Sequence, residues 1–322
     1  MSWDERLMEM SIEELEDAVF RLGAEVKGRR SRRGYAEAIQ RAILTEPMRL
    51  ARSISYTHVC ILMERHIHRK AHRCLRRKAS PQAEMTFASL SDFGLAWRDA
   101  EYWYVDPSAD CVCLLSAEEL EALSREEELT EQTESWLRLY GVLPVAEAAE
   151  RISGAQADEL FRCWSSFFGR SGFRQQDGQV WLIHPTIETP EWLIAAVNTN
   201  EMQGIPYAPF TEEDRQNMEA MGVPSQGRAM EICRSLFRRE VLESGLLFIP
   251  LVMLQKGSME DAAAFLRTLP KTKGRPDSVE QALVERCLNH FPRWKFKGHS
   301  ADEMQKLRPP MQEDASVRRF YH

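Results

Sequence analysis

The chain has 322 residues, of which 43% are hydrophobic and 28% charged, and its formal net charge is −7. This length predicts more than one compact unit, and the composition suffices to bury several cores. The acidic balance excludes a protein that coats nucleic acid over its whole surface, but leaves room for a basic patch on an acidic body.

The opening stretch, MSWDERLMEM, carries acidic residues where a secretion signal needs a basic region and an apolar run. The most apolar stretch, VLESGLLFIPLVML, is shorter than the roughly 20 residues that span a bilayer. Seven scattered cysteines without a secretion signal predict reduced thiols. A cytoplasmic location and no membrane partner are therefore expected.

Ser11 and Glu14 form a capping box, which satisfies two free N–H groups at a helix start. Ile12, Leu15, Val19 and Leu22 follow at helical spacing, and Gly23 can close the helix. A second helix starts at Ser31, with Tyr35, Ile39 and Ile43 on one face. Between them lies a basic connector whose Lys27, Arg29, Arg30, Arg32 and Arg33 lead into a helix N-terminus. Cations at such a position suit phosphate-backbone contact, and these five are the candidate nucleic-acid-binding residues. A solvated loop paired with the chain's own acids is the bland alternative.

Val59, Leu62, Met63 and Ile67 predict a further helix, continued by the very basic run ERHIHRKAHRCLRRK. Within that run His66, His68, His72 and Cys74 are zinc-type donors. Six Arg or Lys residues between Arg69 and Lys78 oppose a dication, so a solvated basic helix is the expectation. Cys111-Val112-Cys113 has one residue between its thiols where structural zinc pairs need two to four. No metal and no cofactor are assigned. No Walker loop, Gly-x-Ser-x-Gly, His-Glu-x-x-His or Rossmann glycine set occurs.

Residues 94–107, GLAWRDAEYWYVDP, contain two aromatic-rich strand signals around the polar knot Arg98-Asp99-Ala100-Glu101. Residues 172–185, GFRQQDGQVWLIHP, repeat the pattern 78 positions later. Gly94, Asp99, Trp103 and Pro107 meet Gly172, Asp177, Trp181 and Pro185, and Asp177-Gly178 is a strong hairpin signal. Each stretch follows apolar helices, so each knot is the tip of a wing. The acidic helix SAEELEALSREEELTEQTES joins the two, with its charges expected in solvent. After Pro190, helices are expected near 191–198, 212–221, 226–243, 246–255, 258–269 and 277–290. Trp294, among Arg293, Lys295, Lys297 and His299, either stacks on nucleic acid or packs while its lysines reach water. Packing is the expectation.

The segment LEDAVFRLGAEVKGRRSRRGYAEAIQRAIL resembles the SAP and Rho N-terminal helix–extended–helix families, through Leu22-Gly23, Lys27-Gly28-Arg29, Tyr35 and Ile39. The remainder is similar to a group of bacterial proteins with tandem winged-helix-like units. In that group a segment like HFPRWKFKGHSADEM precedes a zinc-binding SEC-C tail, whose cysteine cluster is absent here.

The expected fold is mainly α with small β-hairpins. It comprises a SAP-like module at 1–45, winged-helix-like units at 46–115 and 116–190 (the latter with the acidic linker helix), a helical domain at 191–308 and a tail at 309–322. The basic connector, together with the SAP-like resemblance, implies a non-enzymatic DNA- or RNA-binding protein with a regulatory role. A protein–protein adaptor using the winged-helix surfaces is the alternative. An enzyme with a site assembled across domains is the third reading.

Overall fold

The computed structural model describes residues 2–67, 72–224, 228–272 and 277–307. It is mainly helical, with two small three-stranded sheets of order β1-β3-β2 and β4-β6-β5 once strands are numbered along the chain. Two compact units divide it: Met1–Thr133 with Pro144–Pro185, and Glu134–Leu143 with Thr186–His322.

The first unit opens with α1 (Trp3–Glu9), α2 (Ile12–Arg21), α3 (Arg32–Thr45), α4 (Pro47–Ile54) and α5 (Tyr56–Ile67). Capping boxes at Ser2/Glu5 and Ser11/Glu14 start the first two helices. Pro47 occupies the first turn of α4, where no N–H partner is needed. The chain continues through β1 (Arg73–Leu75), α6 (Pro81–Ser91), β2 (Ala96–Arg98), β3 (Tyr102–Val105) and a 3-10 turn over Pro107–Leu114. The helix α7 (Ala117–Tyr140) leads to β4 (Val142–Pro144), the chain from Glu134 to Leu143 belonging to the second unit, and then to α8 (Val145–Arg151), α9 (Ala157–Phe168), β5 (Phe173–Gln176) and β6 (Gln179–Ile183).

One apolar cluster, from Trp3 to Leu123, gathers Leu7, Leu15, Ile39, Leu50, Phe87 and Phe93. Each such fully buried side chain contributes about 1.5–3 kcal/mol relative to exposure. Trp3 also donates its indole N–H to the Phe93 carbonyl at 2.9 Å. The basic run starts in the last turn of α5, up to Ile67, but its described part after that is a strand at Arg73–Leu75 and a 3-10 turn at Arg76–Lys78 where a basic helix was expected. Hydrogen bonds to the hairpin explain this. Val105 N–H donates to the His72 carbonyl at 2.8 Å and Arg76 N–H to the Glu101 carbonyl at 2.9 Å.

Both predicted hairpins form, with Trp103 and Trp181 each buried in the second strand. Their registers differ from an ideal repeat. Trp103 faces Arg98 with the four residues Asp99–Tyr102 between them, whereas Trp181 faces Arg174 with six between them, Asp177-Gly178 at the tip.

The second unit carries α10 (Pro190–Val197), α11 (Glu212–Met221), α12 (Arg228–Leu236), α13 (Arg239–Leu242), α14 (Phe248–Gln255), α15 (Met259–Thr268), α16 (Asp277–Asn289) and α17 (Ala301–Leu307). The single helix expected over 226–243 is split within its described part. Phe237 bridges to Lys271, and Arg238 N–H donates to the Pro270 carbonyl at 3.3 Å. These tertiary bonds replace the helical ones. Trp294 is packed, donating its indole N–H to the Arg138 carbonyl at 3.0 Å. Lys297 donates to the carbonyls of Met202 and Ile205. Among the described residues no helix is long and apolar enough to cross a membrane.

Candidate nucleic-acid interface

All five predicted cations lie on the connector and the first turn of α3, and all are exposed. Lys27, Arg29 and Arg30 have no carboxylate pair among the described residues. Arg33 pairs with Glu37 one turn on, at 3.0 Å, and stays 83% exposed. Arg32 donates to the Met8 carbonyl at 3.2 Å. The connector is held close to its helix. Ser31 caps the Gly34 N–H, and a Cβ at Gly34 would stand 2.6 Å from the Arg29 carbonyl oxygen. Glycine at this position is thus what lets the basic backbone lie on the first turn. Below it, Tyr35 donates its hydroxyl to Glu16 at 2.6 Å. That bond, then the charges of Arg170 and Arg30, hold the Glu16 carboxyl below its ordinary range.

A second surface was not singled out in the sequence. In β3, Trp103 and Val105 point to the core, so Tyr102 and Tyr104 point outward. Cross-strand pairing puts Arg73 and Trp97 opposite Tyr104, and Leu75 opposite Tyr102, on that outer face. The Trp97 and Tyr104 rings stack at 5.9 Å and 12°. Tyr102 adjoins Tyr104 at 6.1 Å, and the Arg73 guanidinium sits 5.4 Å from the Tyr102 ring centroid. All three rings remain half-buried, beside exposed Arg77 and Lys78.

The knot at 98–101 buttresses this face. Asp99 accepts the Glu101 and Tyr102 N–H groups at 2.8 and 2.7 Å and the Tyr104 hydroxyl at 2.8 Å. These bonds hold its carboxyl below the usual range, led by the Tyr102 N–H. The knot is a turn whose carboxylate is used up in fixing the tyrosine. The alternation in YWYV was the signal for the outer face; the partner strand at 73–75 was hidden in a run read as helix.

Of the predicted zinc-type donors, Cys74 lies opposite Trp103, on the core side of β1. His66 and His72 both turn toward Asp110. His68 lies outside the described residues. Burial, then neighbouring Cys113, pushes the Cys111 thiol up to about 11. Burial and Asp110 push Cys113 up to about 11. Such thiols are protonated at neutral pH and are poor nucleophiles. A 470 Å³ cavity in the second unit is lined by Glu188, Trp192, Lys256 and Trp294, with no histidine, cysteine or serine on its walls. Its Lys256–Glu188 ion pair, at 2.6 Å, offers no nucleophile–base couple.

No protein-family model, no curated protein and no solved structure matches the chain. The functional reading therefore rests on the chemistry of these surfaces.

Proposed function

We propose that this chain is a non-enzymatic nucleic-acid-binding protein whose preferred ligand is a single strand. The observation that carries the reading is the half-exposed aromatic face of Trp97, Tyr102 and Tyr104 with Arg73 at its edge. Aromatic rings on a sheet accept unstacked bases whatever their identity, at about 1–3 kcal/mol per base. Arg73, Arg77 and Lys78 stand where the backbone of such a strand would pass. The basic connector adds about two to four phosphate contacts of its own. The element order supports winged-helix-like units: β4 is followed by two helices and then a hairpin, while β1, with one intervening helix, is a shorter version. The helix–extended–helix order of α2, connector and α3 supports a SAP-like module.

The test is fluorescence anisotropy with labelled oligo-dT, oligo-U and a duplex, at low and high salt. Wild type is expected to bind single strands more tightly, with Kd in the range of about 10⁻⁴–10⁻⁶ M. Tyr104→Ala should weaken binding by roughly 5–100-fold, the equivalent of one lost stack. Tyr104→Phe keeps the ring and should bind as wild type. Changing Arg29, Arg30 and Arg33 to Glu should flatten the salt dependence, by roughly 0.7 in log–log slope per lost contact. Absence of binding at low salt, or unaltered binding by both Tyr104→Ala and the triple variant, refutes the proposal and leaves the adaptor reading in front.

A further inference from the structure

The geometry points to a zinc-binding site formed by His66, Asp110 and Cys113, with His72 as the fourth ligand. His66 lies in the last turn of α5. Asp110 and Cys113 lie on the 3-10 turn Pro107–Leu114. A 3-10 helix has three residues per turn, so positions 110 and 113 eclipse one another on one face. One donor atom from each of His66, Asp110 and Cys113 falls within 4.8 Å of the other two. His66 Nδ1 is 3.1 Å from Asp110 Oδ2, and His72 Nε2 is 3.9 Å from the same oxygen.

Zinc bonds of about 2.0–2.3 Å in a tetrahedron place donors about 3.3–3.8 Å apart. The three core donors, all within 4.8 Å of one another, already lie near that spacing. Two neutral imidazoles, a carboxylate and a thiolate carry the charge that neutralises a dication, and nitrogen with sulfur selects zinc over magnesium or calcium. Among the described residues, the two cations that flank the histidines are turned to aromatic rings. The guanidinium of Arg65 sits 5.0 Å from the Phe87 ring centroid and that of Arg73 5.4 Å from the Tyr102 centroid. His66 and His72 have side chains 53% and 48% exposed, so a metal has a path in. Binding joins the end of α5, the 3-10 turn and the entry to β1, and it releases the Cys113 thiol proton to solvent.

The experiment uses the full chain, freed of metal by chelation, and titrates it with Co²⁺ and with Zn²⁺. One equivalent of Co²⁺ should give thiolate-to-metal charge transfer and the visible bands of a tetrahedral ion, and Zn²⁺ should displace it. Cys113→Ser should remove the charge-transfer band, while Cys111→Ser keeps it. His66→Gln changes a half-exposed side chain and is expected to fold; it should weaken Zn²⁺ binding by about 100-fold or more. Circular dichroism of each metal-free variant checks that it is folded. No charge transfer in the wild type at one equivalent, an unchanged band in Cys113→Ser, or wild-type affinity in His66→Gln overturns the proposal.

Discussion

Glu126 sits on α7, the helix whose charges were expected in solvent, yet its side chain is only 11% exposed. Both oxygens are engaged. Arg52 of α4 donates its Nε–H at 2.9 and 3.2 Å, and Arg162 of α9 donates an Nη1–H at 2.8 Å. Glu126→Gln preserves the shape but removes the charge, and turns an amide donor toward one guanidinium. Two exposed ion pairs would cost about 0.4–2 kcal/mol together. Breaking a fully buried pair costs about 3–5 kcal/mol. The guanidiniums, 34% and 45% exposed, can rehydrate, so the loss belongs between these limits. We expect about 2 kcal/mol, a factor of roughly 30 in the folded-to-unfolded ratio. For a unit of this size, Tm should fall by about 4–8 °C. Urea unfolding followed by tryptophan fluorescence measures it. A double-mutant cycle with Arg162→Met should return a coupling of at least about 0.5 kcal/mol. A loss below about 0.5 kcal/mol with an unchanged m-value would show that α7 does not depend on this carboxylate for its attachment to α4 and α9.

Two further outcomes are expected. His58 of α5 is buried, and burial holds its pKa below the ordinary 6.5. The unfolded chain therefore takes up this proton first, so stability is full above about pH 6.5 and is lost as pH falls toward the folded pKa. His58→Gln should make the loss between pH 7 and 5 shallower in urea titrations, and parallel curves would exclude this residue as a source. In the second unit, Gly141 has φ +76, and a Cβ there would lie 2.6 Å from the Trp294 ring. Gly141→Ala should destabilise by about 2–5 kcal/mol, combining backbone strain with overpacking. A thermal melt within 1 kcal/mol of wild type would show that the Trp294 ring gives way freely.

The helices of the second unit were legible because their starts carry local chemistry. Thr211 with Asp214 forms a capping box, Ser258 caps the Asp261 N–H, and Pro190 stands in a first turn. Two helices of the first unit went unread although their signals were present: Ser2 with Glu5 before α1, and Pro47 before the Leu50/Ala51/Ile54 stripe of α4. The break at Phe237-Arg238 had no local mark. It depends on the chain at 270–272, more than thirty residues away, offering a carbonyl and a bridge partner. Glu126 was illegible for the same reason. Its neighbours Glu127 and Glu128 are chemically identical, and only the approach of Arg52 and Arg162 singles it out.

The sites divide along the same line. The basic connector could be read directly, because its property is charge density on contiguous residues. The aromatic face could not, since it requires β1, and β1 exists only by pairing with β3. As a helix, 73–75 would present Arg73 and Cys74 about 100° apart; as a strand it alternates them, sending Arg73 to the tyrosines and Cys74 to the core. The same change separates the histidines from Cys74, which the sequence had grouped with them. His66 instead meets Asp110 and Cys113, some forty residues on and one 3-10 turn apart, and His72 turns to the same Asp110. Counting spacings between cysteines missed this pair, because the relevant interval runs from a carboxylate to a thiol and acquires meaning only once the turn is known to be 3-10.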